Sequence, residues 1–174
     1  MQEKTAKILL TGPPGCGKTT VVIGIIANLS HKTAAGFYTQ EIRQDNVRKG
    51  FRWNCLGGTS GILAHVDSRS SFKVGKYGVD VAGFENSVVP ILDPEQTDAE
   101  LFVIDEIGKM ECLSGKFVVA VHRFFASGKS VLATISQKGS GLISEVKSYP
   151  STKLLKLTRE NRDEVIAEVL QILS

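Results

Sequence analysis

The chain has 174 residues, 42 % hydrophobic and 22 % charged, with a formal net charge of +3. That length fits one domain, 1–174, with a buried core, and no apolar run approaches the roughly 18–20 residues of a membrane span. The mild positive charge falls well short of a nucleic-acid footprint. The N-terminal stretch is polar before it turns apolar, so no secretory leader is expected. Cys16, Cys55 and Cys112 are far apart and odd in number, with neither a disulfide framework nor zinc-ligand spacing. They read as the reduced thiols of a cytoplasmic protein.

In chain order, Lys7 to Thr11 is a short apolar run ending on Gly12-Pro13-Pro14-Gly15, a strand followed by a tight loop. Val21, Val22, Ile25, Ile26 and Leu29 mark one face of a helix from Lys18. Gly36 to Thr39 reads as a second strand, and Glu41 to Asn54 alternates about Asp45-Asn46 as a β-hairpin. A Gly- and Ser-rich stretch follows, with a short strand at Ile62 to Val66. Asp80 to Leu92 looks helical, with its end in doubt at Pro90. Leu101 to Ile104 is a buried strand, Phe117 to Phe125 a helix stopped near Gly128, and Val131 to Ile135 and Lys153 to Leu157 two more strands. Residues 137–152 read as a mobile loop at most, and Val165 to Leu173 as the closing helix. Alternating strands and helices imply a mainly parallel sheet covered on both faces.

Gly12-Pro13-Pro14-Gly15-Cys16-Gly17-Lys18-Thr19 fits the full G-x-x-x-x-G-K-[ST] pattern, with a strand before it and a helix after it. Glycines let successive N–H groups converge on one centre, and the helix start adds further N–H groups and a positive dipole end. Residues 12–19 with Thr20 form the candidate nucleotide-binding loop. Lys18 is assigned to the β- and γ-phosphates and Thr19 to Mg²⁺. Such a site needs a second metal position, usually an acid ending a buried strand, and Asp105 fits it. Glu106 is in place to take a proton from a water in line with the γ-phosphate, an effect typically worth about 10²- to 10⁴-fold. The plainer alternative is that Glu106 pairs with Lys109 on the surface.

The loop and the acid pair resemble the P-loop class that carries an additional catalytic glutamate. That resemblance implies a five-stranded core sheet in the order 5-1-4-3-2, here with an inserted hairpin. Five blocks, "LLTGPPGCGKTT", "GFYTQEIR", "VGKYGVD", "VIDEIGKME" and "LTRENRD", are similar in kind and order to those of one family. It is the small nucleoside-triphosphatase family of thermophilic prokaryotes and vertebrates, the cancer-related nucleoside-triphosphatase type. The resemblance implies Mg²⁺-dependent hydrolysis of ATP, GTP and other nucleoside triphosphates to the diphosphate and phosphate.

For the charge on the transferring phosphoryl group, Arg43 is the first candidate because it follows the second strand. Lys109 either touches phosphate or pairs with Glu106 or Glu111. Arg48 and Arg52 read as a solvated face, or with Phe51 and Trp53 as a stacking surface for nucleic acid. Thr158, Asn161 and Arg162 follow the last strand, where a base commonly lies. Arg162 is able to stack on any base, while Asn161 also reads as the N-cap of the last helix with Glu164 as its capping-box partner. Thr134 and Ser136 end the fourth strand on hydroxyls that either sense phosphate or cap the strand. His31, His65 and His122 stand alone.

Two rival functions remain. A nucleotide or small-molecule kinase would use the same loop but needs an acceptor pocket and a lid. Residues 137–152 hold no arginine, which counts against a lid, while residues 41–78 leave room for an acceptor. A nucleotide-gated, RNA-associated switch would show salt-sensitive partner binding. No protein partner is identifiable.

Overall fold

The computed structural model describes residues 5–174. Residues 1–4, the start of the polar stretch that argues against a leader, lie outside it. The strands are β1 (Lys7–Thr11), β2 (Ala34–Gln44), β3 (Val47–Cys55), β4 (Ser60–His65), β5 (Lys73–Val74), β6 (Tyr77–Val79), β7 (Leu101–Ile107), β8 (Ser130–Ile135) and β9 (Thr152–Lys156). The helices are α1 (Lys18–Asn28), α2 (Val81–Ser87), α3 (Gly115–Ala126), α4 (Leu142–Lys147) and α5 (Arg162–Leu173).

All nine strands join one mixed sheet in the order β5-β6-β4-β3-β2-β7-β8-β1-β9. Parallel ladders link β2, β7, β8, β1 and β9, and antiparallel ladders link β2 outward through β3, β4, β6 and β5. The sheet is therefore larger than a five-stranded core with an inserted hairpin. The cause is β2, which runs 11 residues. Its first four pair with β7 and the rest carry β3, so the hairpin extends the sheet instead of standing off it. Asp45 and Asn46 close the hairpin with φ of 50° and 60°, the left-handed pair that a two-residue type I′ turn needs.

Side chains alternate across the parallel strands and separate into two cores. Ile8, Leu10, Leu101 and Val103 meet α1 and α5 through Val22, Ile25, Val165 and Val169. Leu9, Phe102 and Ile104 face the other way, onto Phe84, Phe117, Val121 and Phe124 of α2 and α3. Ser114 starts α3 as an N-cap, accepting from Phe117 N at 3.0 Å. At the other end Lys7 Nζ, nearly buried, donates to the carbonyls of Phe124, Ser127 and Lys129 at 3.0, 2.7 and 3.2 Å. Ser127 is the C-cap of α3 and Lys129 lies beyond it, so the ammonium ties the helix end to the turn that follows.

The segment read as a loop over 137–152 instead contains α4, whose Leu142, Ile143 and Val146 are buried against the α3 side. The helix over 80–92 ends at Ser87, and a 3₁₀ turn, Val89–Leu92, carries Pro90 in its first turn, where a missing N–H costs nothing. The outermost strands are the two-residue β5 and β9, the latter with Lys153 and Lys156 exposed.

Candidate active site

β1 delivers the chain into the glycine loop and α1 takes it out at Lys18. Gly17 sits at φ 99°, and a Cβ there would come within 2.7 to 2.9 Å of three atoms of the Arg162 guanidinium. Only glycine suits both the backbone and the contact. Arg162, the first residue of α5, donates from Nε to Cys16 O at 2.7 Å. α1 has no side-chain cap, so its first N–H groups stay open toward the loop. Lys18 Nζ donates to Gly12 O at 3.2 Å and lies 3.8 Å from Glu106 Oε2.

Asp105 and Glu106 lie within β7, not after it. The register of β7 against β8 shifts between Ile104 and Ile107, the peptide bond joining the acids is cis, and both side chains line one cleft. Asp105 is buried at 1 % exposure. Its Oδ1 accepts from Thr134 Oγ1 at 2.5 Å; its Oδ2 accepts from Thr19 Oγ1 at 2.7 Å and Thr39 N at 3.4 Å. Burial raises its carboxyl above the ordinary range, the Thr134 and Thr19 hydroxyls pull it back, and the Glu106 charge adds to the rise. Glu106, 30 % exposed, accepts from Ser136 Oγ at 3.0 Å. Behind it, burial first and the Glu106 charge second push the Glu111 carboxyl up to about 8.

The cleft, of ≈ 800 Å³, runs from the glycine loop past these acids to the hairpin. Lys109 lines it, exposed, with no ion pair among the described residues. Glu106 thus turns to Lys18, not to Lys109. Arg43 also lines the cleft, but its Nε is paired to Glu41 at 2.8 Å and its Nη1 donates to Asn46 O at 2.7 Å. Arg48 joins the same Glu41 carboxylate.

Three comparisons with known proteins agree. A family model described as NTPase, NTPase_1, matches residues 7–170. The chain is 40 % identical over 167 residues to the nucleoside-triphosphatase THEP1 of Thermotoga sp. (strain RQ2), covering 96 % of this chain and 95 % of that one. It is 34 % identical over 178 residues to the human cancer-related nucleoside-triphosphatase, covering 94 % of each. Its fold superposes on the crystal structure of THEP1 from Aquifex aeolicus with a TM-score of 0.88 at 37 % identity, over 97 % of this chain and 99 % of the other.

The chain belongs to the NTPase_1 family of nucleoside-triphosphatases. It is an enzyme of that class.

In this nucleoside-triphosphatase the residues named from sequence divide in space. Pro14, Gly15, Gly17, Lys18, Thr19 and Thr20 line the cleft with Asp105 and Glu106, while Cys16 is buried beneath the loop. Arg162 reaches the cleft, but Thr158 and Asn161 do not line it. Asn161 Oδ1 accepts from Thr158 N at 2.8 Å and its Nδ2 donates to Lys156 O at 2.9 Å. It occupies the N-cap position of α5 without capping it, so the capping box with Glu164 does not form. Trp53 is buried in the core, so of the two aromatics in that stretch only Phe51 lines the cleft. Reasoning from sequence missed Thr39 as an Asp105 partner and Glu111 as the acid behind Glu106. It left Thr134 and Ser136 between phosphate sensing and capping, whereas both hold the acid pair. The one local signal for that role is a pair of hydroxyls ending a strand next to an acidic strand end.

Proposed function

We propose that this nucleoside-triphosphatase hydrolyses nucleoside 5′-triphosphates, ATP and GTP among them with little base preference, to the diphosphate and phosphate, with Mg²⁺ as cofactor. The observation that carries the reading is the closeness of four groups. The Thr19 hydroxyl lies 2.7 Å from the Asp105 carboxylate, and Glu106, the next residue, stands beside Lys18. Thr19 and Asp105 are hard oxygen donors at one point, a donor set that fits Mg²⁺. That ion takes one or two protein oxygens and completes its octahedron with phosphates and water. No group of three His, Cys, Asp or Glu suited to holding a metal occurs among the described residues. Bound there, Mg²⁺ would neutralise phosphate charge as it develops.

The glycine-loop N–H groups and Lys18 hold the β- and γ-phosphates. Glu106, oriented by Ser136, takes the proton of the water that attacks the γ-phosphorus. Lys109 or Arg43 meets the charge on the equatorial oxygens. Arg162 lays its planar guanidinium against the base, and stacking tolerates every base. The five parallel strands, read β9-β1-β8-β7-β2, serve as the 5-1-4-3-2 core of the additional-glutamate class, in one P-loop domain working in the cytoplasm without membrane or nucleic acid.

The test is acceptor-free phosphate release from ATP, GTP, CTP and UTP with Mg²⁺, wild type against Glu106→Gln. The variant is expected to retain nucleotide binding and lose about 10²- to 10⁴-fold in rate. An unchanged rate refutes the assignment of Glu106. A rate that does not depend on Mg²⁺ refutes the cofactor.

A further inference from the structure

Activating a water needs Glu106 and little space beyond it, yet the cleft continues. In the order of the sheet the glycine loop follows β1, on one side of β7, while β2, β3 and β4 lie on the other. Strands repeat every 4.7–4.9 Å or so, so the cleft's far wall stands several strands beyond Glu106, away from the loop. Phe51 and Val74, from β3 and β5 and only partly buried, form its apolar surface over the buried Leu63 of β4. The Phe51 ring is braced edge-on by Tyr77, centroids 5.3 Å apart, and Arg48 sits 5.4 Å from its centroid. The rim is polar: Arg43 and Arg48 share the Glu41 carboxylate, and Arg43 commits two N–H groups of its fork to Glu41 and Asn46, leaving others free.

We propose that this far end is the binding site of a second small molecule, a ring-bearing alcohol of the nucleoside class, whose hydroxyl takes the place of the attacking water. The proposal rests on the assignment of Glu106 as the base. Three features select the ligand. The Phe51–Val74 surface accepts a flat ring, which stacks at low entropic cost. The two guanidinium groups are partly neutralised by Glu41, so the rim offers both donors and an acceptor to a neutral, hydroxylated ligand. Glu106, as the base, requires an acceptor that carries a proton to give up. In the transfer, the acceptor oxygen forms a bond to the γ-phosphorus. The bond from that phosphorus to the bridging β–γ oxygen breaks, and the bridging oxygen leaves with the nucleoside diphosphate. The acceptor's proton passes to Glu106. Water performs the same step when the far end is empty.

The full chain is incubated with Mg²⁺ and ATP labelled in the γ-phosphate, with adenosine, guanosine, cytidine and uridine as separate probes. In parallel, binding of each probe to Glu106→Gln is measured by calorimetry in the presence of Mg²⁺ and ATP. At least one nucleoside is expected to bind and to appear as a labelled monophosphate, with phosphate release falling in step. Phe51→Ala and Val74→Glu are each expected to cut transfer by about tenfold or more while nucleoside-free hydrolysis stays within about twofold. Absence of both binding and labelled product for all four nucleosides overturns the proposal. So does a loss of nucleoside-free hydrolysis in both wall variants as deep as that of Glu106→Gln. If instead Glu106→Gln hydrolyses ATP like the wild type, the reading of the base fails on its own account.

Discussion

At position 108 a side chain would collide with two carboxylates at once: a Cβ there would lie 2.8 Å from Glu106 Oε1 and 2.9 Å from Glu111 Oε2. Both acids therefore converge over the one residue that offers no bulk. Water reaches Glu106 but not Glu111, which is buried and whose carboxyl is pushed up to about 8 from 4.5. A raised carboxyl pKa means that, between about pH 4.5 and 8, the folded chain keeps a proton that the unfolded chain has released. This contribution to stability is complete at the acid end of that window and is lost as pH rises through it. Glu111→Gln, which mimics the protonated acid, is expected to flatten the fall in stability across the window by an amount of the order of a few kcal/mol. Asp105, also raised by burial, acts with the same sign. Urea midpoints measured from pH 5 to 8.5 check this, and parallel curves for the two proteins would refute it.

Among the elements, α3 shows how a distant residue closes a helix. Lys7 lies on β1, yet its ammonium gathers three carbonyls at the helix end. Burial lowers its pKa; the three hydrogen bonds nevertheless use all three donors of the charged form. Lys7→Met keeps the aliphatic stem and takes the ammonium from all three carbonyls, of which Phe124 O still accepts from Ser127 N and Oγ, so a loss of roughly 1–3 kcal/mol is expected in thermal unfolding. An unchanged melting temperature would mean that water takes over the cap. The same contrast decides what could be read in advance. The glycine loop and the Asp105–Glu106 pair are contiguous, so their chemistry is visible in a dozen residues. The contacts of Asp105 with Thr39 and Thr134 join three strands across the sheet, and no local pattern announces them. α4 escaped for another reason: Leu142, Ile143 and Val146 give less than two turns of periodicity between Gly141 and Pro150.

Taken whole, the molecule divides its sheet between two tasks. The parallel half, whose alternation of strand and helix was legible, carries the loop and the acids. The antiparallel half, of which only the first hairpin and β4 were clear, supplies the far wall. β5 and β6 escaped because a two- and a three-residue strand lack an alternation to detect. Because the proposed ligands bind the folded chain alone, Mg²⁺ with ATP at about 100 times its dissociation constant should add roughly 2.7 kcal/mol to stability. Lys18→Ala is expected to melt like the unliganded wild type and to lose this increment; a full increment in the variant would remove Lys18 from phosphate binding.

The two ends of the sheet bear on a different property. A bare strand edge is a template on which another chain can add. Here one end is only two residues long and begins with Lys73, and the other presents Lys153 and Lys156 to solvent. A neighbour laying a strand along either end would find almost no ladder to extend, or would meet the Lys156 ammonium and the Lys153–Glu168 ion pair. The sheet is thereby guarded at both margins against strand-by-strand growth through its backbone.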